Sequence, residues 1–178
     1  FISGTGSNLK NLINFSKTKK SPISIDLIIS NTIKAKGLKF ANQYQIKKKI
    51  FNFKNIKTTE KKLFILLKKN KINFICLAGF MKILSSKFIK QFNGKIINIH
   101  PSLLPRYKGL NTHSRAIQNK DKFSGCTVHY VTEKLDSGKI IMQKKIKILK
   151  KDTSSSLARK ILKQEHKIYP KAILKIFN

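Results

Sequence analysis

Asn98 and His100 are polar residues whose types and spacing could support chemistry. They stand in the segment 96–105, IINIHPSLLP, whose β-branched residues predict a buried strand. Side chains alternate along a strand, so an amide donor and a titratable imidazole would leave the same face together. Pro101 and Pro105 cannot continue a central strand, which places the pair at its carboxyl end, where open α/β sheets bind ligands. Taken alone, an Asn-x-His pattern more often only satisfies loop backbone groups.

Asp136 is the candidate partner for this imidazole. The chain has only seven acidic residues, and Asp136 lies in a predicted loop directly before Ser137 and Gly138. A carboxylate beside an imidazole fixes the ring orientation and favours the protonated form. The competing interpretation is a turn aspartate that bonds its own backbone, which is what Asp most often does before Ser-Gly.

A glycine-rich turn at 4–9, GTGSNL, is a candidate phosphate site. Gly4 and Gly6 allow positive φ angles and a close backbone approach. Apolar residues at helical spacing follow, so Ser7 and Asn8 would open a helix whose N–H groups suit a phosphate. The segment matches neither the P-loop nor the full dinucleotide fingerprint, and an ordinary capped βα turn is an equally good interpretation.

The elements around these residues predict an α/β fold. Strands alternating with helical stretches indicate βαβ units, hence a single domain with a mostly parallel twisted sheet flanked by helices. The C-terminal part of the sheet is predicted to be more irregular. The predicted elements are strands at 23–30, 50–51, 74–79 and 96–99, helices at 35–44, 86–91 and 113–119, a helix from Thr58 or Thr59 to 70, β-rich runs at 126–131 and 140–148, and a helix at 154–177. Ser85 or Ser86 is predicted to cap the helix at 86–91, and the pair Asp152-Thr153 the helix at 154–177.

The formal net charge of +32 has two interpretations. A basic surface attracts phosphates and could bind nucleic acid. However, nearly all the charge is lysine, scattered along the chain, and arginine occurs only at Arg106, Arg115 and Arg159. Nucleic-acid surfaces usually use arginine for bidentate contacts, so we favour compositional drift towards residues with AT-rich codons. No specific nucleic-acid partner is expected, although the field would attract anionic substrates.

The remaining composition points to the cytoplasm. No apolar run of about 18 residues predicts a membrane span, and residues 1–4 do not resemble a signal peptide. Cys76 and Cys126 are expected to be buried free thiols in a reducing compartment. The histidines outside the Asn-x-His pair lack ligand spacing, so no metal is expected, and His129 is predicted to be structural.

Several segments occur in one order and together resemble the phosphoribosylglycinamide formyltransferases, folate-dependent enzymes of purine synthesis. Among folate formyl-group enzymes, YKG at 107–109 and TH at 112–113 favour this branch over the tRNA-formylating one. The resemblance implies one Rossmann-like formyltransferase domain over residues 1–178. The segments are GTGSNL at 4–9, AGFMKIL at 78–84, NIHPSLLP at 98–105, LDSG at 135–138, QEH at 164–166 and YP at 169–170.

The resemblance also implies an activity and a site. The formyl group of 10-formyltetrahydrofolate would pass to the amine of phosphoribosylglycinamide through a tetrahedral intermediate. Asn98 and His100 would stabilise this intermediate, with Asp136 supporting His100. The remaining implied site residues are Gly6, Ser7 and Asn8 at the substrate phosphate, Glu165 near the glycinamide end, and Met81, Lys82, Ile83, Leu84 and Asn98 at the folate.

The sequence departs from the family pattern at several positions. It also leaves two alternative functions. Lys82 stands where Arg is usual and Asn111 where His is usual, and the region 47–59 matches poorly. A formyltetrahydrofolate hydrolase would share the catalytic trio but use water as the acceptor. A basic nucleic-acid-binding module or a decayed non-enzymatic relative is the other alternative. We expect a monomer or a weak homodimer.

Overall fold

The computed structural model describes residues 1–178, which divide into two compact units, Phe1–Ile97 and Asn98–Asn178. Strand β4 begins in unit 1 and ends in unit 2. The elements of unit 1 are α1 Ser7–Ser16, β1 Leu27–Ser30, a short 3-10 helix Lys36–Leu38, α2 Lys39–Gln43, β2 Lys47–Ile50, α3 Ile56–Lys69, β3 Phe74–Leu77, α4 Ser86–Gln91 and the start of β4, Lys95–His100.

The first residues of the chain lie between two strands of unit 1. The Ile2 N–H donates to the Ile29 carbonyl at 2.9 Å, beside β1, and Ile2 bridges Ser30 in parallel. The Ala78 N–H donates to the Phe1 carbonyl at 2.9 Å, at the end of β3. Because this segment lies between them, β1 and β3 are not direct neighbours. The apolar character of the two strands in the sequence does not predict this separation.

β2 is the least buried strand of unit 1. It pairs with β1 in parallel, with Leu27 opposite Lys47 and Ser30 opposite Ile50. All residues of β2 are exposed, and its lysines discourage further strand pairing at this position. The strand predicted at 50–51 therefore starts earlier, at Lys47. Its lysines are held in the strand by backbone pairing with β1, and a run of lysines has no apolar pattern by which to predict a strand.

Capping residues set where two helices of unit 1 begin. The Asn55 side chain accepts the Thr58 N–H at 3.1 Å, so α3 begins at Ile56 and the predicted start at a threonine was wrong. The Ser85 hydroxyl accepts the Phe88 N–H at 3.1 Å and opens α4, so of the two predicted caps, Ser85 and Ser86, it is Ser85 that caps the helix. Each cap satisfies an N–H group that the first turn of a helix leaves without a partner.

Unit 2 contains the irregular part of the sheet. Its elements are the end of β4, α5 Thr112–Gln118, β5 Phe123–Tyr130, β6 Ile140–Lys147 and α6 Ser154–Phe177. The strand order is β4-β5-β6, and β5 pairs with β6 in antiparallel fashion, with a register shift between Val128 and His129. This departure from parallel pairing confirms the predicted irregularity of the C-terminal part.

Helix α6 covers this part of the sheet. Thr153 caps it in a capping box with Ser156, as the Asp152-Thr153 pair predicts. α6 packs on β5 and β6, and Leu157, Ile161 and Ile173 of α6 are fully buried. Full burial of each such side chain contributes about 1.5–3 kcal/mol. None of the helices in the chain is both long enough and apolar enough to cross a membrane.

Candidate active site

Asn98, His100 and Asp136 lie together in unit 2. Asn98 and His100 belong to β4, and Asp136 lies in the loop between β5 and β6. Nδ1 of His100 is 3.4 Å from Oδ2 of Asp136, and each of these two side chains is only 7% exposed. The prediction that this aspartate reaches the imidazole is confirmed.

The surroundings of the His100 ring decide which nitrogen can exchange a proton. Nε2 lies 2.9 Å from the carbonyl oxygen of Tyr107. A carbonyl oxygen only accepts, so Nε2 carries a hydrogen and donates it. The nitrogen left to gain or lose a proton is Nδ1, which faces the Asp136 carboxylate.

The turn that carries Asp136 holds the carboxylate in place. Asp136 has a φ of 46°, a left-handed conformation that Asp adopts more readily than most residues. Its Oδ2 also accepts the Gly109 N–H at 2.8 Å. Asp136 is thus both a turn residue and the partner of His100, so the two interpretations drawn from the sequence are compatible.

His129 is a further polar residue of this cluster. Its Nε2 lies 3.3 Å from Nδ2 of Asn98 and 3.7 Å from Oδ1 of Asp136, and His129 is 2% exposed. The available sequence signal was the alternation of polar Thr127 and His129 within an otherwise apolar strand. A register shift lies between Val128 and His129, and alternation alone does not predict it.

The hydrogen bonds of His129 define its ring and orient Asn98. Nδ1 lies 2.8 Å from the Tyr130 carbonyl and therefore donates to it. Burial lowers the pKa of His129, against the opposing effects of the Tyr130 carbonyl and Asp136. In the neutral ring, Nε2 is an acceptor, so the Asn98 amide nitrogen donates to it. The second N–H of that amide is left for another acceptor.

Acidification should destabilise the protein through its buried histidines. Burial lowers the pKa of His113, His129 and His166. The unfolded chain then binds protons more readily, so the free energy of unfolding should fall as the pH drops below about 6.5. Asp152 keeps its charge in this range, because its hydrogen bond with Lys160 contributes most to lowering its pKa, to about 2.

Thermal unfolding midpoints measured between about pH 7.5 and pH 5.5 test this expectation. The midpoint should decrease towards acid, and His113→Gln should reduce the slope because one titrating group is removed. A midpoint that is constant or rises on acidification would contradict it.

In unit 1, the predicted phosphate turn opens α1. Gly6 has a φ of 76°, and its carbonyl accepts the Lys10 N–H at 2.9 Å. A Cβ atom on Gly6 would lie 2.5 Å from Cα of Gly37, so only glycine fits. Ser7 and Asn8 form the start of the helix, whose first turn carries no acidic residue. An anion at this positive helix end would meet no like charge there.

The segment predicted to contact folate is also in unit 1. Met81 and Ile83 are large apolar residues with 63% and 64% exposure, and Lys82 between them is exposed. Leu84 is buried and anchors the end of the segment. The Met81 N–H donates to the Ser3 hydroxyl at 2.7 Å, which anchors its start. The segment thus presents apolar side chains on a backbone held at both ends.

Glu60 secures the chain directly after this segment. Its Oε1 accepts the Ser85 N–H at 2.7 Å, and its Oε2 accepts the Ser85 hydroxyl. Glu60 is 7% exposed and belongs to α3. This carboxylate connects α3 to the N-cap of α4, so it limits movement of the exposed segment 81–84.

Glu165, expected near the glycinamide end, is buried on α6. Burial, together with the smaller effect of the Glu165 charge, raises the pKa of the Cys126 thiol to about 12. Cys126 is buried and Cys76 is half-buried, and both are free thiols, as predicted except for the partial exposure of Cys76. No group of three or more His, Cys, Asp or Glu side chains is arranged to hold a metal ion.

Comparison with known proteins decides the family. A family profile described as formyl transferase matches residues 1–173. The chain belongs to the formyl transferase family. This formyl transferase is 42% identical over 175 residues to phosphoribosylglycinamide formyltransferase from Haemophilus influenzae, and the match covers 97% of the chain and 82% of that relative.

Crystal structures of relatives share the α/β fold of this formyl transferase. Phosphoribosylglycinamide formyltransferase from Brucella melitensis matches with a TM-score of 0.93 and 41% identity, over 99% of this chain and 92% of that chain. The enzyme from Anaplasma phagocytophilum matches with a TM-score of 0.90 and 44% identity, over 97% and 81%.

Some relatives are much longer proteins that match this chain over only a small part of their length. The human trifunctional purine biosynthetic protein adenosine-3 is 41% identical over 175 residues, which is 97% of this chain but 17% of that relative. This formyl transferase therefore spans a small part of the trifunctional relatives.

Proposed function

We propose that this formyl transferase moves the formyl group of 10-formyltetrahydrofolate to the amine of phosphoribosylglycinamide, in de novo purine biosynthesis. The observation that carries the proposal is the buried cluster of Asn98, His100 and Asp136, with the carboxylate 3.4 Å from the imidazole. Relatives that bear the name of this activity cover nearly the whole chain. Cytoplasmic location is part of the proposal.

The residues of the cluster suit each step of formyl transfer. The amine nitrogen attacks the formyl carbon, and the carbonyl electrons move to the oxygen, which becomes an oxyanion in a tetrahedral intermediate. The free N–H of the Asn98 amide and the Nδ1–H of His100, shared with the Asp136 carboxylate 3.4 Å away, are the donors for that oxygen. When the oxygen electrons re-form the carbonyl, the bond to the folate nitrogen breaks, and His100 protonates that nitrogen. Asp136 supports the imidazolium and receives the amine proton through water.

Substrate binding is assigned to segments of unit 1 and to Glu165. The N–H groups of Gly6, Ser7 and Asn8 would hold the phosphate of phosphoribosylglycinamide. Glu165 would lie near its glycinamide end. The folate would contact the segment 81–84, where the exposed apolar side chains of Met81 and Ile83 suit a flat heterocycle. Lys82 would provide a positive charge for the anionic part of this cosubstrate.

The main alternative is hydrolysis of the formyl folate by the same cluster. Water would replace the amine, with no phosphorylated acceptor to bind. The turn at Gly6 disfavours this alternative, because its glycine-only geometry exposes a helix start that suits a phosphate.

The deciding experiment measures consumption of 10-formyltetrahydrofolate with and without phosphoribosylglycinamide. Consumption that requires the acceptor, together with formation of the formylated ribonucleotide, supports the transferase. Equal consumption in both reactions supports the hydrolase, and no consumption in either supports a non-enzymatic relative.

The lysine-rich surface should bind polyanions weakly and without sequence selection. Each phosphate contact releases counterions, so the logarithm of the binding constant should fall linearly with the logarithm of the salt concentration. Fluorescence anisotropy with RNAs of different sequence, at several salt concentrations, measures this. Tight, sequence-selective binding at about 0.15 M salt would support the nucleic-acid interpretation instead.

A further inference from the structure

The backbone carbonyl that fixes His100 belongs to a strained residue. Tyr107 has a φ of 55°, a left-handed conformation that costs free energy for a residue other than glycine. Gly109 and Asn111 close by also have positive φ angles. A loop of this kind keeps its shape only if the surrounding groups hold it. The position of the acceptor for the His100 Nε2 therefore depends on what holds Tyr107.

The side chain of Tyr107 is held mainly by Asp121, a residue just after α5. The Tyr107 hydroxyl donates to Oδ2 of Asp121 at 2.7 Å and accepts from Nδ2 of Asn119 at 2.8 Å. The other carboxylate oxygen of Asp121, Oδ1, accepts from Nη2 of Arg106 at 2.9 Å. The Asp121 side chain is 9% exposed, so water competes little for its hydrogen bonds.

Two arginines lie around the same tyrosine ring. The guanidinium carbons of Arg106 and Arg115 are 5.2 Å and 5.0 Å from the ring centroid of Tyr107. Arg115 also donates to the Lys108 carbonyl at 2.7 Å, one residue further along the loop. These like charges would repel each other, and the Asp121 carboxylate balances one of them. One of the few acidic residues of a chain with a net charge of +32 is thus placed where it holds this loop.

We infer that Asp121 is a positioning residue for the formyl-transfer reaction, acting through the Tyr107 side chain and carbonyl on Nε2 of His100. It holds the carbonyl in place, which keeps the hydrogen on Nε2 and leaves Nδ1 as the nitrogen that exchanges a proton. The inference rests on the proposed function of the Asn98, His100 and Asp136 cluster.

Steady-state kinetics of Asp121→Asn is the first test, because this change keeps the size of the side chain and removes the charge. We expect kcat to fall about tenfold, while KM for both substrates changes less than about threefold. Asp152→Asn is the matched control, since Asp152 also forms an ion pair, 2.7 Å from Nζ of Lys160, at the start of α6. This control should leave kcat unchanged.

The His100 imidazole itself gives the second readout. Long-range ¹H–¹⁵N spectra of the ligand-free protein should show a hydrogen fixed on Nε2 in the wild type. In Asp121→Asn and in Tyr107→Phe, the signals should move towards a mixture of the two tautomers. Because these spectra need no substrate, they test the positioning role even if the proposed formyl transfer is not found.

A double-mutant cycle decides whether the two residues act through one bond. The combined Asp121→Asn and Tyr107→Phe variant should lose little more activity than either single variant, because residues acting as a unit are not additive. Additive losses, equal losses in Asp152→Asn, or an unchanged His100 spectrum in Asp121→Asn would overturn the inference.

Discussion

Asp136→Asn is expected to lower the maximal rate of formyl transfer by on the order of 100-fold or more. The change keeps the size of the side chain, so Gly109 can still donate to Oδ1 of the new amide in the place that Asp136 Oδ2 now occupies. It removes the negative charge that lies 3.4 Å from Nδ1 of His100. The protonated imidazole, which serves as both oxyanion donor and general acid, then loses its counter-charge.

Related variants separate the roles within the cluster. His100→Ala should be at least as damaging as Asp136→Asn, and the double variant should cost little more, because the residues act as a unit. Asn98→Ala should lower kcat more than it raises KM, since its hydrogen bond matters most to the developing oxyanion.

The matched control for these measurements is Asp152→Asn, a carboxylate in an ion pair outside the cluster. The measurements are steady-state rates with saturating substrates. If Asp136→Asn kept the wild-type rate, Asp136 would be only a turn residue.

Gly6→Val is expected to weaken phosphoribosylglycinamide binding by on the order of 100-fold, the equivalent of two charge-assisted hydrogen bonds. The new Cβ atom would meet Cα of Gly37 at 2.5 Å, and a β-branched residue disfavours the φ of 76°. The turn must therefore shift, and the N–H groups of Ser7 and Asn8 shift with it. Folate affinity should change less than about threefold, because the segment 81–84 has its own anchors at Ser3 and Glu60.

Gly4→Ala is the control, because a Cβ atom on Gly4 would have no heavy atom within 4 Å. Isothermal titration with each ligand gives both affinities, and circular dichroism checks that the variants are folded. Equal losses for both ligands in Gly6→Val would mean that the turn serves only the fold.

Local patterns in the sequence predicted much of this protein. β-branched runs located β1, β3 and β4, because buried strands need side chains that pack on a pleated surface. The serine pair 85–86 and Thr153 predicted where α4 and α6 begin, because the cap depends on the residue itself and on the N–H groups that follow it. Alternation predicted that Asn98 and His100 share a face.

The boundaries of β2 and α3 were predicted less well, because their local sequence patterns are weaker. The exposed strand β2 was misplaced, because its pairing with β1 requires no apolar side chains. The start of α3 was misplaced because Asn55, and not a threonine, provides the capping oxygen. A helix start has several possible caps in sequence, and only the folded backbone selects one.

The tertiary structure alone decided which distant groups meet. The loop between β5 and β6 brings Asp136 to His100, and His129 of β5 lies beside Asn98 of β4. The left-handed conformation of Tyr107 places its carbonyl on Nε2 of His100. Periodicity gives the face of a strand but neither the path of a loop nor the register of a strand pair. Both depend on long-range packing. The sequence therefore predicted the catalytic residues but not the hydrogen bonds that determine which ring nitrogens of His100 and His129 carry a hydrogen.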